Sequence, residues 1–316
     1  DFAAWGVRAT TLPLYATSSE DQVAFMMNDA RIRFLFVGDQ EQYDKARHIF
    51  SVCPTLEKVI VFNKKVRMST HDPVSIYFDE FLLMGYSQSH KQQLERLYAD
   101  ANGDDLMSIL YTSGTTGNSK GVMLTHRQAE AALEANDKVL PLTPADRILN
   151  FLPYAHIFEK GWGLLCVSEG CTLIVLTDTK AVQDAIRETH PTCMSSVPRF
   201  WEKVYAAVNA KIASATPMKQ KIFRHAREVG RRHNIEYLAK GRRPPLALAV
   251  EYMMINATVV SLIRKEMGLI NPHFFPTAGA AVSPEVEAFI HSIGIFMMVG
   301  YGLTESFATA SNDHMD

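Results

Sequence analysis

Apolar and polar positions change rhythm along this chain, and the changes lay out its elements. Residues 1–62 alternate short apolar runs with longer mixed segments. Residues 6–14 read as a strand leaving a helix. Ser18, Ser19, Glu20 and Asp21 make a helix start with acids in the first turn, and Val23, Phe25, Met26 and Met27 give that helix an apolar face. Residues 32–37 predict a strand, 42–50 a helix and 58–62 another strand. Such alternation argues for a parallel, doubly wound sheet. Residues 75–85 suit a short strand and helix, 88–99 a helix, and 102–105 a turn. A helix over 126–140 is closed by Pro141 and Pro144. Strands follow at 146–151, 171–176, 192–197 and 295–299. Helices are expected at 180–188, from Pro198, and from Ser283, with Pro284 in its first turn, to His291. Residues 273–281 predict a strand running into small residues. The stretch from Pro244 and Pro245 to Met267 is mostly helical. The expected fold is α/β, with doubly wound, mostly parallel sheets. A first subdomain is expected over 1–105 and a second over 106–316.

One stretch breaks the pattern. The apolar run Ile109, Leu110, Tyr111 passes into Thr112, Ser113, Gly114, Thr115, Thr116, Gly117, Asn118, Ser119 and Lys120, then Gly121 and Val122. Glycines let backbone turn tightly and expose N–H groups, the hydroxyls add donors, and Lys120 adds a positive charge. Such a loop suits a polyphosphate. It is not a Walker A loop, which from Gly114 requires glycine at Ser119 and serine or threonine at Gly121. The hydroxyl that would follow the lysine and hold Mg²⁺ is missing, so the metal ligand must come from elsewhere. A second signal closes the 295–299 strand: Gly300, Tyr301, Gly302, Leu303, Thr304, Glu305. It sets an aromatic ring beside backbone that a flat ligand can approach. Thr304 offers a hydroxyl to a phosphate, and Glu305 offers the carboxylate that Mg²⁺ needs.

The loop at 111–121 resembles the signature of the AMP-forming acyl/adenylate synthetases, with Ser119 standing where that family has proline. The block at 301–305 is similar to the family's Tyr-Gly-x-Thr-Glu. Leu152, Pro153, His156, Phe158 and Glu159, with the Val197-Pro198-Arg199 and Glu202-Lys203 block, resemble its long-chain fatty acyl-CoA synthetases in particular. The resemblance implies ATP, Mg²⁺ and CoA as cofactor and co-substrates, and a fatty acid as substrate. It implies that Thr112, Ser113, Gly114, Thr115, Thr116, Gly117 and Lys120 hold the β- and γ-phosphates. Gly279, Ala280 and Ala281 would lie on one side of the adenine, with Gly300, Tyr301 and Gly302 on the other. Thr304 would touch the α-phosphate, Glu305 and Thr112 would serve Mg²⁺, and His156 would border the carboxylate and acyl pocket. It further implies a large N-terminal domain whose mobile C-terminal domain is absent, so the chain is expected to be a fragment without thioester-forming activity. An adenylate-forming ligase for an aryl or amino acid, and a non-catalytic nucleotide-binding scaffold, stay open.

Composition narrows the rest. The chain has 316 residues, 47% hydrophobic and 21% charged, with a net charge of −2 that gives no drive towards nucleic acid. Cys53, Cys166, Cys171 and Cys193 show no Cys-x-x-Cys spacing and no adjacent histidine cluster, so reduced thiols in a cytoplasmic protein are expected, and no zinc site. There is no signal peptide pattern, and no run of 18 apolar residues that predicts a membrane span. Residues 211–243 are locally basic, ten lysines and arginines against two glutamates. They form either a solvated face or a contact with an anionic membrane surface.

Overall fold

The computed structural model describes residues 1–86, 88–112 and 119–312. The chain divides into two compact units, Asp1–Ala129 and Glu130–Asp316.

In the first unit, β1 (Phe34–Val37), β2 (Lys58–Val61) and β3 (Ser75–Tyr77) pair in parallel in that order. Helix Gln40–Ile49 makes the crossover from β1 to β2. Tyr43, Ala46 and Ile49 of that helix pack on Val37, Val59 and Val61. Helix Glu20–Asp29 starts where the sequence placed it. Ser19 Oγ accepts from the Gln22 N–H at 3.3 Å while Gln22 Oε1 accepts from the Ser19 N–H at 3.0 Å, so each satisfies an amide the helix start leaves unpaired. Residues 6–14 are not a strand. A helix at Phe2–Gly6 gives way to a single bridge, Thr11 to Ser108.

That bridge decides where the units part. β4 (Leu106–Thr112) and β5 (Lys120–Thr125) form an antiparallel hairpin with Thr112 opposite Lys120. Thr11 exchanges backbone hydrogen bonds with Met107 and Ile109, and Arg8 grips Asp105 through two bonds of 2.8 Å. The hairpin is therefore tied to the first unit, and the division falls after Ala129, not at the expected 105/106.

In the second unit, β6 (Arg147–Asn150) pairs in parallel with β7 (Thr172–Val175), and β8 (Phe275–Thr277) with β9 (Met297–Tyr301); β10 (Ser311–Asn312) returns antiparallel to β9. The expected strand at 192–197 is reduced to bridges: Cys193 to Ile148 and Phe274, and Ser196 to Thr277. Through it the order reads β7, β6, segment 193–196, β8, β9, β10. Side chains alternate across this sheet. Leu149, Met194, Phe275 and Met297 join one buried cluster, under helices Pro198–Ala213 and Pro284–Ser292. Ile148, Cys193, Phe274 and Met298 join another, under helix Ile157–Ser168. Helices on both faces of a parallel sheet are the doubly wound arrangement the alternation predicts.

Two helices differ from expectation. The one over 126–140 stops at Asp137, because the Val139 and Leu140 amides both fold back to the Asn136 carbonyl before Pro141 is reached. The stretch after Pro245 runs as Leu246–Ile255, a π-helical turn at Asn256–Val260, and Ser261–Met267. Its 22 residues, of mean hydropathy 1.8 over the most apolar window, are long and apolar enough to cross a membrane. Glu251 and Asn256 interrupt the apolar run and hid this from a search for 18 unbroken residues.

Candidate functional site

The parallel strands of the second unit end at one edge of their sheet, and the segments leaving that edge carry His156, Gly279–Ala281 and Gly300–Glu305. In such folds this edge is where ligands are held. Gly300 and Tyr301 are the last residues of β9, and Tyr301 is 63% exposed. Beyond them the chain makes a single turn of 3₁₀ helix at Thr304–Ser306 and doubles back, so that the Ala308 N–H reaches the Leu303 carbonyl and the Ala310 N–H the Tyr301 carbonyl. The reversal is forced through Phe307 and Ala308, at φ of 53° and 80°. Non-glycine residues there cost about 1–3 kcal/mol each, a strain that concentrates at functional sites. Gly302 cannot be replaced: a Cβ on it would stand 1.3 Å from the Ala308 carbonyl oxygen. The turn presents the Thr304 hydroxyl and an exposed Glu305, neither of which has a hydrogen-bond or ion-pair partner among the described residues. An uncommitted carboxylate oxygen beside a hydroxyl is the hard donor chemistry Mg²⁺ takes.

Helix Ile157–Ser168 lies against the same turn, since a Cβ on Gly161 would meet Ala308 Cβ at 3.4 Å and Phe307 at 3.9 Å. His156 is its N-cap. Its Nδ1 accepts from the Phe158 N–H at 3.2 Å, which requires the neutral ring and leaves the proton on Nε2. Desolvation by the surrounding chain lowers the pKa of the ring and keeps it in that form. Two buried ionisable neighbours, Glu159 and Lys160, follow. Burial pushes the Glu159 carboxyl up to about 7, against opposing hydrogen bonds from the Ser195 hydroxyl and the backbone at Leu152 and Phe151. Burial brings Lys160 down to about 8. In the sequence Glu159 stands in a motif without a role of its own, and its signal is an acid amid apolar neighbours.

The segment 193–196 supplies the next loop. Trp201 Nε1 donates to Ser196 Oγ at 2.7 Å and to Thr277 Oγ1 at 3.0 Å, and those hydroxyls are 2.9 Å apart. This buried knot fixes the end of β8, from which exposed Gly279, Ala280 and Ala281 emerge. The second unit thus gathers His156, Gly279–Ala281 and Gly300–Glu305 on one sheet edge.

In the first unit, Thr112 and Lys120 face each other across the β4–β5 hairpin, with Lys120 exposed. Ser113, Gly114, Thr115, Thr116 and Gly117 lie outside the described residues. Gly121, where a Walker loop has a hydroxyl, sits beneath the Tyr111 ring; a Cβ there would meet Ile109 Cγ2 at 2.9 Å and Tyr111 Cζ at 3.1 Å.

At the opposite edge of the second sheet, Asp146, Cys193 and His273 bring ligand atoms within 4.8 Å of one another, a grouping that sequence distance concealed. Asp146 is already engaged by Thr192 Oγ1 at 2.6 Å, by the Thr143 N–H and hydroxyl, and by His273 Nδ1 at 3.1 Å. Burial pushes its pKa up, but these bonds outweigh burial and hold the carboxyl below its ordinary value. The trio is a lock between neighbouring strands.

The family model described as AMP-binding enzyme matches residues 1–316. The fadD11 protein of Mycobacterium tuberculosis H37Rv is 32% identical over 238 residues, covering 70% of this chain and 41% of its own length. The human long-chain-fatty-acid–CoA ligase ACSBG2 is 27% identical over 300 residues, covering 93% of this chain and 44% of its own. Among solved structures, the anthranilate CoA ligase AuaEII in complex with anthranoyl-AMP aligns with a TM-score of 0.62 at 17% identity, over 97% of this chain and 48% of that one. The chain spans less than half the length of these proteins.

Proposed function

Because this chain belongs to the AMP-binding enzyme family, we propose that the protein containing it activates a long-chain fatty acid with ATP and passes the acyl group to CoA. A carboxylate oxygen of the fatty acid bonds to the α-phosphorus as the bond to the pyrophosphate oxygen breaks. The CoA thiolate then bonds to the acyl carbon and AMP leaves. The first step demands charge neutralisation and in-line alignment more than proton transfer.

The observation that carries this reading is the strained turn after β9, which holds Thr304 and Glu305 outward beside the helix capped by His156. Glu305 is the residue to hold Mg²⁺, which when bound neutralises phosphate charge. Thr304 donates to an α-phosphate oxygen, and the Tyr301 ring lies along the adenine. His156, with its proton held on Nε2, donates that hydrogen to the substrate carboxylate. The loop between Thr112 and Lys120 takes the terminal phosphates. The likeness to long-chain ligases and the apolar setting of Phe158 and Trp162 support an oily substrate.

The test is ATP–pyrophosphate exchange by the full-length protein with palmitate, an aryl acid and amino acids. Palmitate is expected to support exchange, and Glu305→Ala to lower it at least ~100-fold with the thermal midpoint unchanged. Exchange with aryl or amino acids alone overturns the substrate; near-normal exchange by Glu305→Ala overturns the metal role.

A further inference from the structure

The helix Leu246–Met267 is apolar on two sides, and only one of them is used by the fold. Leu248 and Val260 are buried, and Ile255, Ile263 and Met267 pack on the main cluster of the second unit. The other side carries Leu246, Ala247, Val250, Met253, Met254, Ala257, Thr258 and Leu262, all exposed. Leu246 is 81% exposed and Met253 62%. No charged residue interrupts this stripe from Leu246 to Leu262. Its one hydroxyl, on Thr258, is spent on the Met254 carbonyl at 2.8 Å, and the adjoining Ser261 hydroxyl on the Ala257 carbonyl at 2.9 Å. Hydroxyls satisfied within the helix are what an apolar medium requires.

The two ordinary explanations of such a segment do not apply. A core helix is mostly buried, whereas 11% of the most apolar window of this one is buried. A signal sequence lies at the start of a chain, not at residue 246.

Cations border the stripe. Lys240, Arg242 and Arg243 are exposed shortly before it, and exposed Lys265 stands three positions after Leu262. The neighbouring helix Pro217–Gly230 exposes Met218 and Ile222 beside Lys219 and Lys221. Parts of the basic segment are committed elsewhere: Lys211 to Glu266, and Arg231 to Glu228 and Glu236. Lys219, Lys221, Lys240, Arg242 and Arg243 have no acidic partner among the described residues.

We propose that the helix Leu246–Met267 lies flat in the interface of an anionic membrane, its exposed stripe entering the acyl boundary and the flanking lysines and arginines meeting lipid phosphates. Apolar contact and positive charge at the rim together recognise such a surface, and neither alone selects it. The helix does not span. Its inner face is packed, Glu251 pairs with His225, and Arg264 Nη1 is directed at the Ile293 and Gly294 carbonyls. This surface does not depend on the activity proposed above.

The test is vesicle flotation with the full-length protein, on neutral phosphatidylcholine and on vesicles with one quarter phosphatidylglycerol. At least tenfold stronger partitioning onto the anionic vesicles is expected, falling severalfold as salt rises from 0.1 M to 1 M. Met253→Glu with Met254→Glu is expected to lower partitioning at least tenfold, and Arg242→Glu with Arg243→Glu to abolish the preference for anionic lipid. Both variants should keep the wild-type thermal midpoint. As a second readout, Met253→Cys carrying an environment-sensitive dye should shift to the blue on anionic vesicles. Partitioning indifferent to both pairs of substitutions, or absent from both vesicle types, overturns the proposal. So does a dye already shielded without lipid in the monomer, which would mean that another part of the chain covers the stripe. A dimer that the Met253→Glu pair dissociates would assign the stripe to a second copy and overturns it equally.

Discussion

Two apolar helices in the second unit, Ile157–Ser168 and Leu246–Met267, have opposite fates. The first takes two charged residues, Glu159 and Lys160, into the interior. The second keeps charge off its exposed stripe and leaves large apolar side chains in the open. Both invert the usual placement of charge outside and hydrocarbon inside. The reason differs. In the first helix, sheet and turn enclose the ionisable groups beside the candidate site, where low dielectric shifts their pKa values and makes them responsive near neutrality. In the second, nothing in the described chain encloses the stripe. An inverted pattern that is buried points to chemistry; one that is exposed points to a partner.

Three measurements sharpen or break this contrast. The largest effect is expected at Trp162, buried against Cys166 and Phe274. Trp162→Ala should cost about 3–5 kcal/mol in urea unfolding. Trp162→Phe should cost under about 1.5 kcal/mol, because it keeps the ring buried and removes an Nε1 donor that has no partner among the described residues. A loss under 1 kcal/mol for the alanine variant would show that this helix is not packed as described.

Glu159 should give the next effect, and its sign is fixed by the direction of its shift. The folded state keeps its proton up to about pH 7, against an ordinary value of 4.5. Between those values the folded chain holds more protons than the unfolded one, so stability falls as pH rises through the window and stays low above it. Glu159→Gln keeps an acceptor for Ser195 and removes the titration. Relative to wild type it should gain roughly 3 kcal/mol between pH 4.5 and pH 8. Parallel pH profiles for the two proteins would place the ionisation elsewhere.

The smallest effect belongs to the exposed helix. Met253→Ala should change unfolding in lipid-free buffer by no more than about 0.5 kcal/mol, as befits a side chain without packing. A loss of 2 kcal/mol or more would mean that Met253 is covered in solution and would dissolve the contrast.

Much of the fold was legible because its signals are local. Ser19 with Glu20 and Asp21 set a helix start, Pro198 another, and the apolar runs near 58–62 and 295–299 found their strands to within two residues. The block Gly300–Glu305 stood out at the end of its strand for the same reason, but the strained reversal through Phe307 and Ala308 did not. What was not legible depends on contacts between distant segments. The strand expected at 192–197 survives only as bridges to neighbours 45 to 81 positions away. Ser283 begins its helix as expected, yet its side chain makes no capping bond. Asp146, Cys193 and His273 meet only after the sheet assembles. Period and composition could mark residues 246–267 as apolar and helical, but not which side the fold would leave uncovered.

The π-helical turn at Asn256–Val260 has a consequence for phase. Widening one turn delays the later residues by about one position, roughly 100° of rotation about the axis. Had the helix continued in strict α register, Arg264 would return to the azimuth of Leu246, in the middle of the oily stripe, and Leu262 would drift off its edge. The wide turn swings Arg264 inward to the carbonyls at Ile293 and Gly294 and brings Leu262 back into line. One surplus residue thus lets a single rod be hydrocarbon outside along most of its length and still end on a half-buried cation turned towards the fold.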